Sequence, residues 1–347
     1  MSSTPMSRTP LSGTPMSRTL TGRTLWRWAR PISGAAILVV LLMSVGTGPF
    51  VTAFRVADGW SLAAAAGITL VTTICCAVRW SVVTRCLGVG VVPLREAVPA
   101  YYRSQFLNTV LPGGVLGDVH RAVRHGREGG TVGRSVLAVA CERTAGQGVQ
   151  LLLTAAALLI LPSPLRSVMP TLAAALVTAA LVAVLVARAL PDVGRSLRAR
   201  TRRVAAAELG QLARPAWSVI VLASAVVVAG HVAVFLIAAR AAGSTVSTVR
   251  LLPLVLLVLL AAGVPTNIAG WGPREGMAAW VFSSAGLSAG EGLATAALYG
   301  VLVFAASLPG AVVLVIASGS RRGARKGSVA EPPRSPATGD LEGAQRG

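Results

Sequence analysis

The chain has 347 residues, 54% of them hydrophobic and only 13% charged, with a mean hydropathy of +0.69. Soluble domains carry about 25% charged residues, so this composition excludes an ordinary soluble domain and points to an integral membrane protein. The net charge of +20 raises nucleic acid as a partner, but the arginines flank the apolar runs and no zinc-finger, RNP or basic-zipper pattern accompanies them, which excludes that partner.

Residues 1–30 are polar and repeat TPMSRT at Thr4–Thr9 and Thr14–Thr19, so a disordered basic arm is expected there. Its arginines, with no acid among them, predict a cytoplasmic N-terminus by the positive-inside rule. Apolar runs then predict spans from about Ile32 to Ala53 and from Trp60 to Val78, the second returning to Arg79, Arg85, Arg95 and Arg103. A third span is expected over Ser135–Leu161 and a fourth over Met169–Leu190, which leads into the basic segment 195–214. A fifth covers Trp217–Ala239 and the last Leu293–Ile316, followed by a Gly-, Pro- and Ser-rich tail, 319–347, on the cytoplasmic side. The four cysteines, Cys75, Cys76, Cys86 and Cys141, form no CxxC pair and read as small buried hydrophobes, with neither disulfide nor metal implied.

Two stretches break this pattern. Asn108-Thr-Val-Leu-Pro-Gly-Gly-Val-Leu-Gly-Asp-Val-His-Arg121 has basic flanks on both sides, and Gln105–Gly117 is too short to cross twice. A re-entrant hairpin broken at Pro112-Gly113-Gly114 is expected, since irregular backbone at membrane depth survives only under protein or beside a water-filled cavity. Leu251–Val264 and Met277–Leu287 predict a second hairpin from the opposite face, broken at Gly270-Trp271-Gly272-Pro273. The expected fold is therefore an all-α polytopic helical bundle of about six full spans plus two broken hairpins, with eight full spans as the alternative. One hairpin per face suggests two related halves of opposite orientation.

Charged residues inside such a chain are the candidate site. Glu142 and Arg143 interrupt an apolar helix, with Gln147 and Gln150 on the same face; a lone charge at mid-bilayer costs roughly 2.5–3.5 kcal/mol, so partners are expected. They form either a structural ion pair or a site facing a polar cavity. Asp118 and Arg121 are a surface pair or, with Asn108, Gly113, Gly114 and Gly117 beside them, part of an anion site in which glycines admit backbone N–H groups and arginine grips phosphate. Asn267, Arg274 and Glu275 repeat these residue types, and Trp271 is either an interfacial anchor or a platform for a sugar or acyl chain. His120 and His125 read as basic-loop residues, and His231 as an interhelical hydrogen-bonder or a proton carrier. Such a set suits a ligand with an anionic head and an apolar tail. No nucleophile elbow, P-loop or metal-ligand spacing is present, so no catalytic group, cofactor or metal is assigned.

The ordered set Asn108-x-x-Leu-Pro-Gly-Gly-x-x-Gly-Asp-x-x-Arg121, then Glu142-Arg143, then Gly270-Trp-Gly-x-Arg-Glu275 resembles the transmembrane region of lysylphosphatidylglycerol synthetases, also called the flippase-like domain family. The resemblance covers about residues 31–318 and departs from the family pattern at Pro265-Thr-Asn267. It implies a multi-pass protein of the cytoplasmic membrane that moves a phospholipid or a polyprenyl-phosphate-linked lipid between leaflets. It maps the family's motif residues onto Asn108, Pro112, Gly113, Gly114, Gly117, Asp118, Arg121, Glu142, Arg143, Gly270, Gly272, Arg274 and Glu275. The synthetases' soluble aminoacyl-transferase domain has no counterpart in 319–347, so lysyl transfer is not expected and the chain is read as no enzyme. Two other readings are a membrane enzyme acting on lipid head groups and a non-transporting scaffold for a glycosyltransferase or lipid-modifying enzyme.

Overall fold

The computed structural model describes residues 58–111, 113–130, 132–161, 213–264 and 271–316, together with Met43 and Val56. The N-terminal arm, the first expected span apart from Met43, the fourth expected span, residues 195–212 of the basic segment and the C-terminal tail lie outside these residues, as do Pro112, Asn267 and Gly270. The described residues form eight helices and no sheet: α1 Gly59–Cys86, α2 Leu94–Val110, α3 Leu116–Glu128, α4 Val132–Ile160, α5 Ala213–Ala241, α6 Thr248–Ala262, α7 Pro273–Ser284 and α8 Ala289–Ser307. The protein is an all-helical membrane protein.

Three of these described helices are both long and apolar enough to cross a bilayer: α1, α5 from Ala216, and α8 with its continuation to Ile316. At 29 residues α4 matches them in length, since about 20 suffice, but it carries Glu142 and Arg143. The expected ends are corrected at α1. Arg79 does not follow the span; the helix runs seven residues beyond it to Cys86, and Arg79 is buried on its inner face. Arg103, also expected in a basic loop, is buried within α2, and His120 and His125 stand on α3 rather than in a loop. Of the cysteines only Cys76 is buried, while Cys86 is exposed.

Among the described helices the packing repeats with a period of four. Within the first half α1 packs on α2, α2 on α3, α3 on α4 and α4 back on α1; α5 to α8 make the same set of contacts. Between halves α1 packs along α5, α1 and α2 meet α8, and their counterparts α5 and α6 meet α4. Exchanging the halves thus leaves the pattern of packed pairs unchanged, which agrees with the expectation of two related units. Each unit holds one broken pair, α2–α3 and α6–α7, between two long helices.

In lipid, tails compete for apolar surface as well as side chains do, so close backbone approach carries helix association. Gly230 of α5 provides it at the central contact, where a Cβ would run into Thr72 and lie 3.1 Å from Ile68 Cγ2. The main apolar core lies in the second half, where α6 is buried along nearly its whole length from Leu251 to Leu259 against Phe235, Phe282 and Leu298. The first half has a smaller apolar cluster around Trp80, Ala97 and Tyr101. Its interior is given over to charge instead.

Candidate functional site

The first break spans 111–115, between the end of α2 and the start of α3. Gly113 and Gly114 turn the chain there at φ 90° and 61°, values that side chains with a Cβ seldom adopt. Asn108 then locks the two arms together. Its side-chain oxygen accepts from the Gly117 N–H at 2.8 Å, and its amide donates to Asp118 Oδ2 at 3.1 Å. Asp118 Oδ1 accepts from Ser104 at 2.9 Å, a second link between α2 and α3. In this state Asn108 therefore serves the hairpin itself.

Asp118 opens a buried network that crosses five helices. Arg121 Nη2 reaches Asp118 Oδ1 at 3.1 Å and Glu142 Oε2 at 2.9 Å. Glu142, fully buried in α4, also accepts from Arg79 Nε at 2.9 Å and from the Tyr101 hydroxyl at 2.6 Å. Arg79 continues to Ser224 of α5 at 3.0 Å, and Gly146 seats its guanidinium, since a Cβ there would lie 2.7 Å from Nη1. Arg143 pairs with Asp118 Oδ2 from the other side, with its side chain 45% exposed. Arg121 is sandwiched between the rings of Trp80, 4.6 Å away, and Tyr101, 4.0 Å away, a cation–π geometry worth about 2 kcal/mol when desolvated.

The charge count of this network decides its character. Among the described residues three arginines, Arg79, Arg121 and Arg143, face two carboxylates, Asp118 and Glu142, leaving one positive charge in excess. A neutral structural cluster has no use for that surplus. An incoming anion would balance it, and the partly exposed Arg143 is the member best placed to meet one.

Trp271, Arg274 and Glu275 form a second group at the start of α7. Gly272, at φ 123°, donates its N–H to Glu275 Oε2 at 2.7 Å, so Glu275 caps the helix that carries it. Arg274 pairs with Glu275 through Nε at 2.8 Å and lies near the rings of Tyr299, at 5.2 Å, and Trp271, at 5.5 Å. Gly300 makes room for this guanidinium as Gly146 does for Arg79. His231 Nδ1 and the Tyr299 hydroxyl are 2.9 Å apart, an interhelical hydrogen bond beside Arg274. Gln147, one turn beyond Arg143, packs against Gly263 at the edge of the second break, so α4 runs from one group toward the other.

Five of the sequence-derived site residues, Asn108, Asp118, Arg121, Glu142 and Arg143, thus fall in one network, and Trp271, Arg274 and Glu275 in another; Gly113 and Gly114 shape the turn. Arg79, Trp80, Tyr101 and Ser104 were not anticipated. Trp80-Ser-Val-Val83 just beyond Arg79 is the signal that the helix continues, since an arginine followed by another apolar turn lies within a helix rather than after one.

Asn108→Ala should lower stability by about 1–3 kcal/mol, because it strips a partner from both Gly117 and Asp118. Thermal unfolding in detergent micelles measures this, and an unchanged midpoint would show that the bridge across the break carries nothing.

Comparison with curated proteins gives no match, and neither does comparison with solved structures. A family model does match: the "Lysylphosphatidylglycerol synthase TM region" aligns with residues 28–310, from before the first expected span to the last helix. With the two broken helix pairs and their buried charges inside that region, the chain belongs to the lysylphosphatidylglycerol synthase transmembrane-region family.

Proposed function

We propose that the protein is a lipid transporter of the cytoplasmic membrane, with both termini on the cytoplasmic side, that moves a phospholipid or polyprenyl-phosphate-linked lipid between leaflets. The observation that carries this reading is the excess of one arginine over the carboxylates among the described residues of the first network, held between membrane helices beside a chain break. A head-group phosphate at Arg143 would take over from Asp118, whose Oδ2 keeps the Asn108 amide as a partner. In the second unit Glu275 holds Arg274 in the same way, so each half has an arginine whose carboxylate can yield to a head group. The twofold repeat of packing among the described helices favours alternating access, with each broken pair opening in turn. Trp271, beside Arg274, would flank the lipid's sugar or glycerol portion.

The test is head-group translocation in proteoliposomes, with Arg143→Ala beside the wild type. Arg143 is the most exposed arginine of the network, so the variant should fold. Movement in the wild type that falls at least about tenfold in the variant, the worth of one charge-assisted hydrogen bond, supports the reading. Absence of movement across phospholipids and polyprenyl-phosphate lipids would leave the scaffold for a membrane-associated enzyme as the better account.

A further inference from the structure

A cavity of about 460 Å³ lies at the end of the bundle where α1 finishes, α2 begins and the continuation of α8 closes. Its walls differ in kind. One is apolar, with Val92, Ala100, Val313 and Ile316; the other carries Trp80, Arg121 and His125, with Arg95, Arg103 and Arg124 around it. Three polar side chains on that second wall hold buried atoms that have no hydrogen-bond partner among the described residues: Trp80 Nε1, Arg121 Nε and Nη1, and His125 Nε2. Trp80 is 2% exposed and Arg121 1%, so bulk water does not serve these donors, and a buried unpaired donor costs about 1–3 kcal/mol, more when charged.

Charge points the same way. Four arginines and two glutamates, Glu96 and Glu128, line the cavity. Arg124 pairs with Glu128 at 3.2 Å and Arg95 with Glu96 at 3.6 Å, both toward solvent, and the carboxylates that hold Arg121 occupy only its Nη2. Arg121 Nη1 therefore stays available as a charge-assisted donor to a single phosphate oxygen, the bidentate edges being closed by the carboxylates on Nη2. His125, edge-on to Trp80 at 5.5 Å, adds a ring nitrogen to the same wall.

We propose that this cavity is a phosphate-binding site in which Arg121 Nη1, Trp80 Nε1 and His125 Nε2 hold a phosphomonoester or phosphodiester, with Arg95, Arg103 and Arg124 supplying the surrounding field. The volume holds a head group but not acyl chains, and the apolar wall leaves those chains a path toward lipid. The proposal goes beyond the transport reading, because such a site binds whether or not the lipid then moves.

The test is calorimetric titration of the full chain in nonionic detergent with inorganic phosphate, dihexanoylphosphatidylglycerol and dihexanoylglycerol. Binding of the phospholipid but not of dihexanoylglycerol is expected. Phosphate binding as tightly as the phospholipid also upholds the site and assigns it to free phosphate; tighter phospholipid binding assigns it to a lipid head group. Trp80→Phe removes one neutral donor and keeps a ring over Arg121, and should weaken binding about fivefold. The double variant Arg95→Gln/Arg124→Gln changes only half-buried and exposed side chains, so it should fold, and should weaken binding about tenfold. Arg240→Gln, which removes a charge at the junction of α5 and α6, controls for general attraction to a basic protein. Failure of both phosphate compounds to bind, equal binding by the wild type and both cavity variants, or an equal loss in Arg240→Gln would each overturn the proposal. Binding here without translocation would uphold the cavity and sink the transport reading; translocation without binding here would do the reverse.

Discussion

Glu142→Gln should lower the unfolding free energy by about 3–5 kcal/mol, because it strips the shared carboxylate from two buried arginines at once. The side chain keeps its size, so no cavity opens, and the Tyr101 hydroxyl can still donate to the amide oxygen. What changes is charge: three arginines then face Asp118 alone, and the surplus rises from one to two positive charges in an interior with little water. Arg79 suffers most, since its remaining partners are the Ser224 hydroxyl and a long contact to Cys76. Arg121 keeps Asp118 and its two rings.

A double-mutant cycle separates this account from simple loss of packing. Adding Arg79→Met to Glu142→Gln removes the worst-placed charge with little change in volume. The double variant should therefore be more stable than Glu142→Gln alone, with a coupling energy of about 1–3 kcal/mol. Denaturant titration in micelles measures all four corners of the cycle. Additive losses would mean that the two side chains do not interact as an ion pair, and the charge argument for the site would fall with them.

How much of this network the sequence discloses depends on the kind of residue. Glu142 and Arg143 stand out because a charge among apolar helix residues is costly wherever it lands, so their importance is legible without knowing their partners. The hairpin breaks are equally legible, because Gly113 and Gly114 sit where an uninterrupted helix would otherwise run. Arg79, Arg103 and Arg121 are harder, since arginines next to apolar runs also serve as topological flanks. Nothing local in Arg79-Trp80-Ser-Val-Val83 marks Glu142, sixty-three residues away, as its partner. Tyr101 is legible only in retrospect, because its role depends on α2 lying against α1 and α3. Two related halves are suggested by the paired breaks, but which helix packs on which within each half is hidden for a related reason. Helix association in lipid depends on small residues and shape, and the two halves use different ones: Tyr101 donates to Glu142 in one, while Tyr299 meets His231 in the other.

Gly117→Ala tests the geometry of the first break directly, and Gly133→Ala provides its contrast. Both glycines lie in helices, where Ala is favoured over Gly by up to about 1 kcal/mol, so propensity alone expects both substitutions to stabilise. Space separates them. A Cβ on Gly133 would meet nothing, whereas one on Gly117 would collide with the Ser104 carbonyl oxygen and lie 2.8 Å from Asn108 Oδ1. The carbonyl belongs to α2 and cannot swing aside, and Asn108 is held by the hydrogen bonds that fix the break. The arms of the hairpin must then separate, which pulls Asp118 from Ser104 and disturbs the carboxylate that faces Arg121 and Arg143. Gly117→Ala should therefore cost about 1–3 kcal/mol from overpacking and more once the Asn108 bridge is lost, while Gly133→Ala should be neutral or stabilising. Thermal unfolding of both variants in one detergent gives the answer. Equal midpoints would show that α2 and α3 are free to part, and that the break tolerates the movement which alternating access requires without straining the charges beneath it.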